Sequence, residues 1–339
     1  MKKVAINGFG RIGRHFLRQA MEQKDFSVVA VNDLEDIDTL AYLLKYDTVY
    51  GTYKKDIKVL GDTLQIGSNK VKFFQEKDPT KLPWKKMGID IVVEATGVFS
   101  SYEKAQVHVK AGAKRVVITA PSKDADGTTG ATVLVGVNED RSKDVVLTSN
   151  GSCTTNAASP IISILSNKPG IEKAMLSTVH GYTATQNLVD GTTRGSDVRK
   201  GRAAAVNIVP SSTGAATAIG KAIPEMDGRF DGVAFRVPVP SGSIADITMV
   251  SKRDTSVEEI NEILTKASKS KVWNKIMKVT SDPVVSSDII GEPYGAIVDL
   301  SFTRVVDGNL VKVLSWYDNE YGYVTTLISH VAMVSKFIK

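Results

Sequence analysis

The 339-residue chain is long enough for two domains with separate cores, and its 42% hydrophobic and 24% charged content is that of an ordinary globular protein. No apolar run approaches the ~20 residues that span a bilayer, and a single cysteine excludes an intramolecular disulfide and suits a reducing, cytoplasmic setting. The net charge of +6 favours anionic partners: phosphorylated metabolites, a dinucleotide or nucleic acid, with the lysines too scattered for a dedicated nucleic-acid surface.

Met1-Lys2-Lys3 followed by apolar residues has the look of a leader, but Gly8, Gly10, Arg11 and Gly13 interrupt it at once and no secretion signal is expected. Val4-Ala5-Ile6 instead reads as a buried strand running into Gly8-Phe9-Gly10-Arg11-Ile12-Gly13, the spacing G-x-G-x-x-G. A helical pattern follows through Phe16, Leu17 and Ala20, then a second strand ending in Asn32-Asp33. Gly8 allows a tight turn, Gly10 the approach of backbone to a pyrophosphate, and Gly13 close packing of helix on strand. The pyrophosphate would sit at the helix N-terminus near Arg11 and Ile12. A carboxylate at Asp33 accepts from both adenosine ribose hydroxyls and repels a 2′-phosphate, so NAD is expected rather than NADP.

Residues 50–75 alternate in polarity, with Gly61-Asp62 and Gly67-Ser68 as turns, and predict an antiparallel insertion. The strand Ile89 to Glu94 ends in Ala95-Thr96-Gly97, and another reaches Thr119. Ligands of parallel sheets lie outside the carboxyl ends of the strands, so Thr96, Gly97 and Thr119 are either cofactor neighbours or plain turn residues.

Val145-Val146-Leu147 leads into Asn150-Gly151-Ser152-Cys153-Thr154-Thr155-Asn156, and a small-residue, then aliphatic segment leads away. That is strand, turn and helix start, with the only cysteine at a helix N-terminus, where free N–H groups favour thiolate. A lone cysteine is also a common buried hydrophobe, but an apolar slot has no use for Ser152, Thr154, Thr155 and Asn156 around it. The strand Ala174 to Val179 ends at His180, a base for the thiol if the two meet, otherwise an ordinary hydrogen-bonded histidine. Residues 181–202, with Arg194, Arg199, Lys200 and Arg202, form a long polar loop without period. Pro210-Ser211-Ser212-Thr213-Gly214 opens a helix suited to an anion, and Arg236 inside an apolar strand needs a carboxylate or a phosphate. Residues 257–267 read as an amphipathic helix, 296–315 as a hairpin turning at Asp307-Gly308, and 321–337 as a long final helix. No metal-ligand cluster stands out.

With these residues in place, the chain resembles the phosphorylating (type I) glyceraldehyde-3-phosphate dehydrogenases along its whole length. The resemblance rests on Ile6-Asn7-Gly8-Phe9-Gly10-Arg11-Ile12-Gly13-Arg14, Leu44-Lys45-Tyr46-Asp47, Ser152-Cys153-Thr154-Thr155-Asn156, Thr178-Val179-His180 and Trp316-Tyr317-Asp318-Asn319-Glu320. It implies a Rossmann-type doubly wound parallel sheet over residues 1–152, with a helix at about 319–339 packing back on it. An α+β catalytic domain with a mostly antiparallel sheet would occupy residues 153–318. It implies Cys153 as nucleophile and His180 as base, and adds Lys77 and Asn319 to the NAD contacts Gly8, Gly10, Arg11, Ile12, Gly13, Asp33 and Thr119. Ser152, Thr154, Thr213 and Gly214 would serve inorganic phosphate and substrate, while Thr183 and Arg236 would serve the substrate's own phosphate. A homotetramer is implied, its loop 181–202 near a neighbour's cofactor. The departures are Gly151 where alanine is common, Ala157 where many members have a second cysteine, a slightly longer loop, and Lys200 at what resembles an arginine phosphate ligand. The activity implied is phosphorylating oxidation of D-glyceraldehyde 3-phosphate. Erythrose-4-phosphate dehydrogenases share the thiol, base and cofactor site, and the basic charge leaves a secondary RNA-binding role as an alternative of a different class.

Overall fold

The computed structural model describes residues 1–193 and 196–338; the loop cation Arg194 and the terminal Lys339 lie outside them. The chain divides into two compact units, Met1–Gly151 with Val324–Lys339, and Ser152–Tyr323.

The first unit is built on nine strands: β1 (Lys2–Asn7), β2 (Phe26–Asn32), β3 (Ile57–Val59), β4 (Thr63–Ile66), β5 (Asn69–Phe74), β6 (Ile91–Glu94), β7 (Arg115–Ile118), β8 (Gly130–Thr132) and β9 (Leu147–Ser149). Their order is β3-β4-β5-β2-β1-β6-β7-β9-β8. All neighbours are parallel except β3 with β4 and β4 with β5, which are the expected antiparallel insertion. Helices α1 (Arg11–Ala20), α2 (Ile37–Lys45), α3 (Trp84–Met87) and α4 (Tyr102–Lys110) connect or flank the strands. Val4, Ala5 and Ile6 of β1 are wholly buried, as a central parallel strand covered on both faces requires. From β1 the chain crosses to β2 on one side and later reaches β6 on the other, so a crevice opens between the ends of β1 and β6.

The second unit holds a seven-stranded sheet, order β11-β12-β10-β13-β16-β15-β14. Its strands are β10 (Ile171–Gly181), β11 (Val209–Ser212), β12 (Phe230–Val237), β13 (Ser243–Ser251), β14 (Met277–Thr280), β15 (Ala296–Val306) and β16 (Leu310–Tyr317). Only β10 with β12 and β14 with β15 run parallel; the rest is antiparallel. Asp307 and Gly308 both take positive φ, 48° and 74°, in the three-residue turn 307–309 that joins β15 to β16. Helices α5 (Cys153–Asn167), α6 (Ala215–Ala222) and α7 (Val257–Ser268) complete the unit, and α8 (Tyr321–Ser335) closes the chain. Residues 210–212, read as part of a helix opening, pair as β11 with β12, and the helix starts only at Ala215. Loop 181–202 is less irregular than its composition suggests. A 3₁₀ turn at Val198–Gly201, the Gly191 N–H donating to the Gly201 carbonyl at 2.9 Å, and an Arg202–Asp190 ion pair at 2.8 Å brace it. No helix among the described residues is long and apolar enough to cross a membrane.

Candidate active site

Helix α5 begins at Cys153 itself, with Ser152 as N-cap. The cap is reciprocal: Ser152 Oγ accepts from the Thr155 N–H at 3.1 Å, and Thr155 Oγ1 accepts from the Ser152 N–H at 3.1 Å. Asn156 Nδ2 donates to the Ser152 carbonyl at 3.0 Å. Ser152, Thr155 and Asn156 thus fix the helix start at which the half-buried Cys153 stands.

Strand β10 carries His180 to that helix end, placing Nε2 3.3 Å from Cys153 Sγ. The parallel register of β10 with β12 sets His180 opposite Arg236. Arg236 Nη1 stands 2.6 Å from His180 Nδ1 and donates to the Gly181 carbonyl at 3.2 Å. A guanidinium can only donate, so in this arrangement Nδ1 accepts and the ring proton sits on Nε2, toward the sulfur. The Gly181 carbonyl, 2.6 Å from Nδ1, is the acceptor for the other tautomer, which leaves Nε2 bare for a proton from sulfur or substrate. Tyr317 locks the ring from the side, edge-on at 5.9 Å. Its hydroxyl lies 2.8 Å from Thr154 Oγ1 and 2.7 Å from Thr178 Oγ1.

Burial pushes the Cys153 thiol up, opposed by the Arg236 charge and by hydrogen bonds from Thr154. Burial likewise pushes His180 down, to about 3, with Arg236 acting in the same direction. The helix end and burial thus act on the thiol in opposite directions, and burial pushes both groups toward their neutral forms.

In the first unit the glycine motif makes the crevice. Gly8 has φ +94°, and a Cβ on it would lie 2.5 Å from the Thr96 backbone nitrogen. A Cβ on Gly13 would lie 2.2 Å from the Gly8 carbonyl oxygen, so the helix rests directly on the turn, whereas one on Gly10 would meet open space. The N-cap of α1 is Gly10, which has no side chain to cap the first turn. Asp33 Oδ2 accepts from the Phe9 N–H at 2.6 Å, and Oδ1 from the Glu35 N–H at 3.0 Å, which aims the carboxylate at the turn. Open space at Gly10, the helix N-terminus beside it and an acid at the second strand's end fit a dinucleotide.

Residues 2–102 match the family described as glyceraldehyde 3-phosphate dehydrogenase, NAD binding domain, and residues 152–319 the one described as its C-terminal domain. The chain belongs to the glyceraldehyde-3-phosphate dehydrogenase family. Glyceraldehyde-3-phosphate dehydrogenase 1 of Kluyveromyces lactis is 48% identical over 336 residues, 98% of this chain and 100% of the relative. Glyceraldehyde-3-phosphate dehydrogenase of Mycolicibacterium smegmatis is 46% identical over 345 residues, 98% of each chain. That of Clostridium pasteurianum is 46% identical over 343 residues, 100% of each. NAD is the cofactor of this family member.

Against the family's candidate residues, the structure gathers Ser152, Cys153, Thr154, His180 and Arg236 in one cluster. Thr154 is buried with its hydroxyl on Tyr317. Thr183 lies just past the end of β10, its Oγ1 3.0 Å from Thr185 Oγ1. Thr213 Oγ1 accepts from the Ala215 N–H at 3.2 Å, and Gly214 is the N-cap of α6 without a capping side chain. Lys200 sits in the 3₁₀ turn of the long loop, its carbonyl accepting from Asn187 at 3.1 Å. On the cofactor side Thr119 donates through Oγ1 to the Glu94 carbonyl at 3.1 Å, Gly97 takes φ +73°, and Lys77 is exposed. Asn319 belongs to the second unit, its Oδ1 accepting from Ser243 Oγ at 2.9 Å. Two residues escaped the sequence reading, Tyr317 and Glu94. Tyr317 stands inside a quoted motif and Glu94 at the end of an expected strand, but only contacts across the fold give them a role.

Proposed function

We propose that the protein catalyses the phosphorylating oxidation of D-glyceraldehyde 3-phosphate to 1,3-bisphosphoglycerate with NAD⁺ and inorganic phosphate. The observation that carries this reading is the 3.3 Å approach of Cys153 Sγ to His180 Nε2. A thiol next to an imidazole, at a helix N-terminus and beside an arginine, is the apparatus of covalent catalysis on an anionic carbonyl substrate.

The Cys153 sulfur attacks the aldehyde carbon as its proton passes to His180 Nε2, giving a thiohemiacetal. The Cys153 N–H and His180 stabilise the developing oxyanion. His180 then holds the hydroxyl proton as the carbon is oxidised to the thioester; NAD⁺, when bound, supplies the hydride acceptor. Inorganic phosphate, drawn to Ser152, Thr154, Thr213 and Gly214, attacks the thioester carbonyl and expels the Cys153 thiolate, releasing the acyl phosphate. Arg236 and Thr183 take the substrate's own phosphate, with Lys200 as a further cation. When that phosphate draws the guanidinium off Nδ1, the tautomer with Nδ1–H on the Gly181 carbonyl becomes available and Nε2 is free to act as base. The cofactor set Gly8, Gly10, Arg11, Ile12, Gly13, Asp33, Lys77, Thr96, Gly97, Thr119 and Asn319 would hold NAD, Asp33 disfavouring NADP.

We place residues 1–152 with the C-terminal helix as the cofactor domain and 153–318 as the catalytic one, in a cytoplasmic homotetramer. An apolar face of the second sheet supports self-association: Met175, Val179, Val233, Phe302, Val306 and Leu310 are exposed there. A cavity of about 380 Å³ opens beside Met175 and Leu310. Exposed Leu188, Val189 and Val198 suit loop 181–202 to a neighbouring subunit.

Initial rates with glyceraldehyde 3-phosphate, NAD⁺ against NADP⁺, with and without phosphate, test the reading. Cys153→Ala should abolish acyl-enzyme formation, and His180→Asn should lower the rate with the fold intact. Phosphate-dependent turnover that survives in Cys153→Ala would refute the mechanism.

A further inference from the structure

Beneath the dinucleotide crevice lies a buried polar chain that the reaction does not use directly. Glu94, at the end of β6, is 2% exposed and its carboxylate accepts from four donors. Oε1 takes the Thr96 N–H at 2.8 Å and the Thr96 hydroxyl; Oε2 takes Asn7 Nδ2 at 2.7 Å and His108 Nε2 at 2.9 Å. The histidine's role is fixed from behind: Trp84 Nε1, a donor only, points at His108 Nδ1 from 3.3 Å, so the ring proton is on Nε2 and faces Glu94. Asn7 passes the chain on, its Oδ1 accepting from Asn32 Nδ2 at 2.7 Å. Asn32 in turn grips the backbone of Glu76, accepting its N–H at 2.8 Å and donating to its carbonyl at 3.0 Å.

The two ends of this chain are the two sides of the cofactor crevice. At one end Thr96 packs its backbone against the Gly8 turn, where a Cβ would find its nitrogen 2.5 Å away. At the other end Glu76 precedes Lys77, and the Asn32 carbonyl accepts from the Gly8 N–H at 2.8 Å. We infer that Glu94 is the positioning residue of the dinucleotide site: its four accepted hydrogen bonds hold the Thr96–Gly8 contact and, through Asn7 and Asn32, the Glu76–Lys77 segment at the spacing the cofactor needs. A glutamine cannot replace it. One of its two terminal atoms is an amide donor, which must face either the two Thr96 donors or those of Asn7 and His108, and the chain breaks at that point.

The inference rests on reading this crevice as the NAD site. In Glu94→Gln, NAD⁺ Kd and KM should rise about five- to tenfold, the loss of roughly one net hydrogen bond. The KM for glyceraldehyde 3-phosphate and the iodoacetamide alkylation rate of Cys153, the sole cysteine, should stay unchanged. Thr96→Val, at an exposed position that leaves the core untouched, should weaken NAD⁺ binding in the same direction. Thr96 also stands in the cofactor set, so Asn7→Ser decides the matter should Glu94→Gln fail to fold. It cuts the chain between Glu94 and Asn32 outside that set and should weaken NAD⁺ binding likewise. Unchanged NAD⁺ affinity in these variants would overturn the inference, as would a parallel loss of NAD⁺ affinity and of Cys153 alkylation, the mark of a merely structural role. Asp33→Ala separates the two levels. If it also leaves NAD⁺ affinity intact, the site reading falls and takes the inference with it; if it weakens binding while Glu94→Gln and Thr96→Val do not, only the positioning role is wrong.

Discussion

Replacing Arg236 by methionine removes the cation 2.6 Å from His180 Nδ1 and keeps a long, flexible side chain in its place. Two unit charges about 4 Å apart, the scale of a guanidinium centre against a protonated ring, repel by about 4 kcal/mol at an effective dielectric near 20. Arg236 is half-buried, so solvent screening lowers this toward the ~1 kcal/mol of an exposed pair. The proton affinity of His180 should therefore rise between about fivefold and several hundredfold. Ring-proton NMR can follow the four histidines through a pH titration, with His180→Asn assigning the signal. The His180 midpoint should climb from about 3 toward the ordinary 6.5. Stability should follow with a definite sign. Because the folded value is depressed, the unfolded chain binds the extra proton below 6.5, so the His180 contribution is complete above 6.5 and is lost as pH falls toward 3. Arg236→Met should make that acid limb shallower. A His180 midpoint that stays put or drops in the variant would refute the electrostatic account of the site.

Tyr317→Phe should leave the Thr154 and Thr178 hydroxyls without their shared partner, at a cost of about 1–3 kcal/mol in urea unfolding, and should lower turnover by loosening the His180 ring. Gly13→Ala forces a Cβ to within 2.2 Å of the Gly8 carbonyl oxygen unless α1 shifts, so NAD⁺ titration should show a several-fold loss of affinity; full affinity would contradict the turn geometry. His330 is wholly buried in the first unit between Thr148 Oγ1 at 2.7 Å and Asn150 Oδ1 at 3.1 Å, and burial pushes it down to about 3. It should cost roughly 2 kcal/mol of stability between pH 6.5 and 5, so His330→Gln should show a smaller drop in urea midpoint between pH 7 and 5 than the parent.

The sequence by itself determined the local chemistry. Glycine spacing, the acid at residue 33, the Asp307-Gly308 turn and the strand–turn–helix around Cys153 are each written within a few residues, because each depends on φ, on missing Cβ atoms or on helix-end N–H groups. Register and distance were decided only by the fold. His180 meets Cys153 where β10 reaches the start of α5, and Arg236 meets His180 through the parallel β10–β12 pairing; no periodicity announces either meeting. Burial belongs to the same class. The helix end alone argued for a thiolate; the surroundings assembled by the fold add a desolvation that pushes both partners toward their neutral forms. Glu94 shows the difference most plainly. In the sequence it is one acid at the end of an apolar strand; in the folded chain four donors from three other residues converge on it beneath the cofactor crevice. Hydrogen-bond satisfaction is a property of three-dimensional neighbours, and it is there that the tertiary structure, not the motif, assigns the residue its work.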